Sequence, residues 1–391
     1  MRSLYKIVHT SSRTGWNDPE KRILEESLWM ETQGHQVVII APEESPLYQK
    51  ARAQGLSVYA ISFKGLARLR ESSELTGILT NEQPHVINSH GRADGSIALK
   101  AAQKAGVPCR IISRHTGAKL KNSLQNRAIY KKLSHYVFTS SDFITDHVKE
   151  TFKLRDMDVF SIPGGIAPPE QLAAKPDAAK WLAEHLGLAA EERFIGCLLP
   201  CLSPKDEADV LDIAGAFRQI LTEIPHHLVV QADPERIPAL TLALENNRCR
   251  ERVHLLPPVD HSWQFYRALD CGILAPKMAK GLPVNGIPRE LVKAMFSSCP
   301  VISSPAGGIT DLVIDNQTGL LHSPGDQEGL AGRIASTLIR DAATKERTHA
   351  ARETVKTRHT IDAMGRNVIR IYRLHQVKLD KQRLPDRFRQ I

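Results

Sequence analysis

Residues Lys293 to Ala331 read KAMFSSCPVISSPAGGITDLVIDNQTGLLHSPGDQEGLA. The run from Cys299 to Ser304 is short, apolar and bounded by prolines, the signature of a buried strand. Ala306-Gly307-Gly308-Ile309 follows it and opens a short helical turn. Gly307 and Gly308 permit positive φ and close backbone approach, so their N–H groups can hold an anion. The same pair also suits a tight strand-to-helix turn with no ligand. Asn316 to Gly319 and Pro324-Gly325 supply turn chemistry only.

The same alternation extends upstream. FIGCLLP, HLVVQA, VHLLP and CGILAP read as strands, with helices over Asp206 to Ile220, Arg236 to Asn246 and Arg289 to Phe296. The first half repeats the scheme. LYKIVHT, QVVIIA, LSVYAIS, HVINSH, CRIIS, YVFTS and DVFSIP are strand-like, and Ile23, Leu24, Leu28 and Met30 give Glu20 to Gln33 a helical period. Further helical patterns start near Leu66, Ser96, Leu124 and Phe143. Asp18-Pro19-Glu20 reads as a helix N-cap with Pro in the first turn. Strand followed by helix, repeated, predicts parallel sheets covered on both faces, with ligands at the carboxyl ends of the strands. The Pro-, Gly- and Ala-rich stretch from Pro163 to Asp177 interrupts the pattern and reads as an interdomain linker. The expected division is a first domain over 1–165, a linker over 166–190, a second domain over 191–360, and a basic helical tail over 361–391.

Composition narrows the function. The chain has 391 residues, 42% hydrophobic and 24% charged, enough for two cores and ordinary for a folded protein. No apolar run approaches the roughly 18 residues of a membrane span, and the N-terminus carries no secretory pattern, so a cytoplasmic location is expected. Cys109, Cys197, Cys201, Cys249, Cys271 and Cys299 form no CxxC pair, which points to buried reduced thiols and no zinc site. A net charge of +9 raises the question of nucleic acid, but the cations are dispersed, aromatics are 5%, and no nucleic-acid motif appears. Peripheral contact with anionic lipid, at the inner face of the membrane, or a simply solvated basic surface, accounts for the charge. The GxGxxG fingerprint of a dehydrogenase is missing after every predicted strand.

The punctuation of the whole chain, roughly residues 5 to 375, resembles the GT-B glycosyltransferases of family four. The Lys293 to Ala331 segment is similar to that family's EAMACGxPVVxxxxGGxxExVxxGxTGxLVxPGDxxxLA pattern. The resemblance implies two doubly wound Rossmann-like domains facing a cleft, with the C-terminal helix returning to the first. It implies a nucleoside-diphosphate sugar as donor substrate, held by the second domain with no metal or other cofactor. No DxD triplet lies in the expected cleft.

Four family side chains hold such a donor, and this sequence differs at each. Cys201 stands at the phosphate-binding Arg position and Asp206 at the Lys position, with Lys205 adjacent. Asn285 and Lys293 stand at the two Glu positions, eight residues apart, that contact the sugar and the ribose. Losing both phosphate cations costs roughly 3–6 kcal/mol, or about 10²- to 10⁴-fold in donor affinity. The developing charge on the leaving group makes the transition state suffer more. Lys205, Lys277, Lys280, Arg289 and Lys293 could compensate as a basic cluster, or be solvated surface. In the first domain the family's Gly-Gly loop becomes GWNDPE from Gly15, so Asn17 and Asp18 replace the usual pair. SHGRADG, with His90 and Asp94, resembles the family's HxHSxxD loop, and SRHTG, with Arg114 and His115, its TRH loop.

Two functions follow from the resemblance. One is retaining transfer of a sugar to a cell-surface glycan or lipid-linked acceptor, of the polysaccharide or lipopolysaccharide type, with an atypical donor site. His90, Asp94 and His115 then serve the catalytic side, and Gly15, Lys205, Asn285, Arg289, Lys293, Gly307 and Gly308 the donor. The other is a catalytically degenerate homologue acting as a partner or regulatory subunit.

Overall fold

The computed structural model describes residues 4–64, 68–201, 206–245, 250–259, 261–276 and 286–383. They divide into two compact units, one comprising Met1–Gly165 with Ile361–Ile391 and the other Ile166–Thr360.

In the first unit β1 (Lys6–Thr10), α1 (Asp18–Thr32), β2 (Gln36–Ala41), α2 (Pro46–Ala53), β3 (Ser57–Ala60), α3 (Arg68–Glu82) and β4 (Val86–Ser89) come first. There follow α4 (Arg92–Lys104), β5 (Cys109–Arg114), α5 (Leu124–Arg127), β6 (Tyr136–Thr139), α6 (Asp142–Phe152) and β7 (Val159–Ser161). All pair in parallel in the order β3-β2-β1-β4-β5-β6-β7. Apolar side chains cover both faces: Ile7, Ile39 and Phe138 pack on one, Val8, Ile40 and Val137 on the other. That is why these strands read as continuous apolar runs rather than alternating ones.

The start of α1 differs by one residue from the sequence reading. Asn17, not Asp18, is the N-cap, and Glu20 at the third helical position closes the cap by accepting from the Asn17 N–H at 2.9 Å.

The second unit contains α7 (Lys175–Leu186), β8 (Arg193–Cys201), α8 (Glu207–Gln219), β9 (His226–Ala232), α9 (Ile237–Glu245), β10 (Val253–Leu256) and α10 (Ser262–Ala268). It continues with β11 (Cys271–Leu274), α11 (Arg289–Phe296), β12 (Val301–Ser303), β13 (Leu320–Leu321), α12 (Gln327–Leu338) and α13 (Ala342–Arg358). Its parallel sheet runs β10-β9-β8-β11-β12-β13. The stretch expected as a linker, 166–190, contributes α7, whose Ala178, Leu182 and Ala183 are buried in this unit's core. Their spacing is helical, and local Pro and Gly content masked it.

The last helix, α14 (Ile361–Arg383), belongs to the first unit. Asp362 accepts from the Trp29 indole at 2.6 Å, His375 bonds the Pro108 carbonyl at 3.0 Å, and Tyr372 is buried against Tyr5. Gly365 is needed at the crossing of α14 and α1: a Cβ there would stand 2.2 Å from the Trp29 ring.

Candidate functional site

In a doubly wound sheet the crevice opens where neighbouring strands send their connections to opposite sides. In the first unit that point lies between β1 and β4. Three histidines meet there: His9 near the end of β1, His90 just beyond β4, and His115 just beyond β5. His9 Nδ1 lies 2.9 Å from His90 Nε2, and His90 Nδ1 lies 2.9 Å from His115 Nε2. The rings form a column with centroids 5.1 and 5.2 Å apart, the His90 and His115 rings only 6° from parallel. Burial pushes all three imidazoles below their ordinary pKa, and Arg22 adds to the effect, so the column is neutral near pH 7.

Asp94 is fully buried at the first turn of α4. Its carboxyl lies within 3.2 Å of four donors: the backbone N–H of His90 and of Gly91, Thr10 Oγ1 and Ser12 Oγ. Burial pushes this carboxyl up while those hydrogen bonds hold it down, and the net direction is upward. With its lone pairs occupied, Asp94 ties the loops after β1 and β4 to the start of α4 and thereby sets the position of His90. The packing forbids a side chain nearby: a Cβ on Gly91 would meet Asp94 Oδ1 at 2.5 Å, and one on Gly95 would meet Ile112 at 2.7 Å.

Behind the column lies a buried pair that the sequence reading missed. Glu26 Oε1 is 4.0 Å from His9 Nε2, and Glu26 Oε2 is 3.6 Å from Arg22 Nε. Both residues lie on the inward face of α1 and are almost wholly buried. A charged i,i+4 pair among helix positions whose period points inward was the available signal, together with a His at the end of the first strand. Gly15 sits in the exposed loop after β1; a Cβ there would meet the Asn17 amide at 2.8 Å.

In the second unit the switch point falls between β8 and β11. Lys205, Asn285, Lys277 and Lys280 lie outside the described residues. Asp206 immediately precedes α8, whose first turn adds Glu207 and Asp209, with Glu207 ion-paired to Arg236. Arg289 opens α11, and Lys293 lies one turn later. The Lys293 ammonium stands 5.9 Å from the Trp263 ring centroid and 3.5 Å from Ser262 Oγ, drawn toward α10. Gly307 adopts φ +50° beyond β12, and Gly308 is buried in the following turn, so the glycine pair does occupy a strand-to-helix bend. The structure thus brings His90, Asp94 and His115 into one cluster. Arg289, Lys293, Gly307 and Gly308 follow strand ends of the other sheet.

Two doubly wound units are the fold expected of the GT-B glycosyltransferases. The halves of the chain match two family models, Glycosyltransferase Family 4 over residues 20–168 and Glycosyl transferases group 1 over 202–340. The chain is a homologue of these glycosyltransferases, carrying one domain of each description. It is 26% identical to a D-inositol 3-phosphate glycosyltransferase of Acidothermus cellulolyticus, over 65% of this chain and 60% of that protein's length. The fold is similar to that of a glycosyltransferase from Rickettsia africae, with a TM-score of 0.82, 17% identity, and 95% and 99% of the two chains covered. It is also similar to Anabaena Alr3699/HepE in complex with UDP, with a TM-score of 0.73, 15% identity, and 94% and 99% covered.

Proposed function

We propose that this protein transfers a sugar, with retention, from a nucleoside-diphosphate sugar to a hydroxyl of a cell-surface glycan or lipid-linked acceptor. The observation that carries this reading is the neutral His9–His90–His115 column at the switch point of the first unit. Neutral imidazoles suit hydroxyl groups, because each offers one donor and one acceptor without imposing a charge. Asp94, committed to four donors, acts as the clamp for the column rather than as an attacking carboxylate. This arrangement supports front-side transfer, in which alignment and electrostatics lower the barrier and no side chain forms a covalent intermediate. The acceptor hydroxyl attacks on the face that the diphosphate leaves. A UDP-bound structural relative supports a nucleotide donor.

A second reading, a homologue that keeps the fold but has lost transfer, draws on Lys293. Its ammonium is engaged with Trp263 and Ser262 where the resemblance places a ribose-binding carboxylate. Nucleotide binding separates the two. UDP or GDP present at tenfold its Kd stabilises by about 1.4 kcal/mol, a melting shift of roughly 3–6 °C for a domain of this size. The transferase reading expects such a shift at millimolar nucleotide. Its absence for both nucleotides favours the second reading.

A further inference from the structure

The histidine column has a sealed end and an open one. At the sealed end, His9 Nε2 and both Glu26 carboxyl oxygens are buried without a hydrogen bond, although the two groups face each other at 4.0 Å. At the other end, His115 Nδ1 has no partner among the described residues and is not among the polar atoms shut away from solvent. A neutral imidazole carries one proton, so two successive ring-to-ring hydrogen bonds leave only two arrangements. Either every ring proton points toward Glu26, or every one points away from it.

Glu26 decides between them. With the protons pointing inward, His9 Nε2–H faces the Glu26 carboxylate, His90 Nε2–H donates to His9 Nδ1, and His115 Nε2–H donates to His90 Nδ1. The reverse arrangement would set the lone pair of His9 Nε2 against a carboxylate oxygen at a fully buried position, where a repulsion is weakly screened. Arg22 Nε stands 3.6 Å from the other Glu26 oxygen, so a guanidinium faces the carboxyl on the side away from His9. We infer that Glu26 and His9 are positioning residues that act through His90 to hold His115 as the Nε2–H tautomer, leaving Nδ1 a bare hydrogen-bond acceptor for a sugar or acceptor hydroxyl. A group three residues removed from the open crevice thereby sets whether its wall accepts or donates. The assignment of a hydroxyl to His115 rests on the proposed transferase function; the tautomer does not.

Long-range ¹H–¹⁵N correlation of histidine-labelled protein distinguishes the two neutral tautomers, and His115→Gln assigns the His115 signals by their loss. The expected result for the full chain is Nε2–H at His9, His90 and His115 alike. In Glu26→Gln, the new amide can donate to His9 Nε2 and keep its oxygen toward Arg22, so the column should reverse and His115 should become Nδ1–H. Nδ1–H at His115 in the unaltered protein, or an unchanged tautomer in a folded Glu26→Gln, overturns the inference. Should Glu26→Gln fail to fold, the unaltered protein's tautomer still decides, and His9→Gln, which cuts the link to Glu26, gives the second reading. In a transfer assay, Glu26→Gln should lower kcat while leaving nucleotide affinity unchanged. A reversed tautomer with unchanged kcat would refute the hydroxyl contact and leave the tautomer assignment standing.

Discussion

Unfolding the first unit at mildly acid pH should release three imidazoles that the native state keeps neutral. His9, His90 and His115 are held below their ordinary pKa chiefly by burial, so the unfolded chain binds protons that the folded chain does not. A base whose folded pKa is lowered loses stability as pH falls below its unfolded value, near 6.5. Between about pH 7.5 and about pH 5.5 a group that stays neutral in the folded state contributes at most about 1.4 kcal/mol of lost stability, so the column contributes at most about 4 kcal/mol. That is a large part of an ordinary domain's stability. His35, His135 and His375 in the same unit are also lowered by burial and add to the total, so a difference measurement is required. His90→Gln removes one titrating ring while its amide can still bridge His9 and His115. Urea-dependent hydrogen exchange of the amides of β1, β4 and β5 at the two pH values reports the stability of this unit alone. The loss on acidification should be smaller in His90→Gln by about 1.4 kcal/mol, a third of the column's share. An identical loss in both proteins would refute the neutral, buried column.

Other consequences can be tested separately. Asp206→Lys should tighten UDP binding by roughly 10- to 100-fold, since a cation bonded to phosphate is worth about 1.5–3 kcal/mol, and titration calorimetry showing weaker binding would mean the phosphate site lies elsewhere. Asp94→Asn should cost roughly 3 kcal/mol by unmatching donors at the start of α4. Loss of transfer at unchanged urea midpoint would instead make Asp94 a participant in chemistry. Asp270, buried at the start of β11, lies 2.6 Å from Arg340, 3.1 Å from Lys175 and 3.3 Å from His226. Burial alone would push its carboxyl up, but the His226 hydrogen bond and the charges of Lys175 and Arg340 outweigh it and hold it well below the usual range. A depressed acid contributes stability above its unfolded pKa, so the second unit should weaken as pH falls below about 4, and Asp270→Asn should remove that dependence while costing roughly 3–5 kcal/mol at neutral pH. Circular dichroism across the acid range in both proteins checks it.

Much of this molecule was legible from residue order. Period and punctuation placed every strand but the two-residue β13, because strands covered on both faces become continuous apolar runs. The Gly307-Gly308 bend followed from the conformational freedom of glycine, and the loops carrying His90 and His115 from their places after strands. The helix α7 was hidden because Pro and Gly flanking its start read as a linker, although Ala178, Leu182 and Ala183 bury it. Asp94 could be read as a polar residue at a helix start, in a loop whose resemblance implied a catalytic role, but not as a carboxyl held by four donors. That four donors converge on it depends on β1 and β4 being neighbours in space, 84 residues from Thr10 along the chain. The same holds for the column. His9, His90 and His115 are scattered in sequence, and parallel pairing of β1, β4 and β5 alone stacks their rings, while the inward face of α1 supplies Arg22 and Glu26 behind them. Sequence fixes which groups exist and which element carries each. Sheet order decides which of them share a proton, because hydrogen bonds act over about 3 Å and the chain between the partners is many times longer.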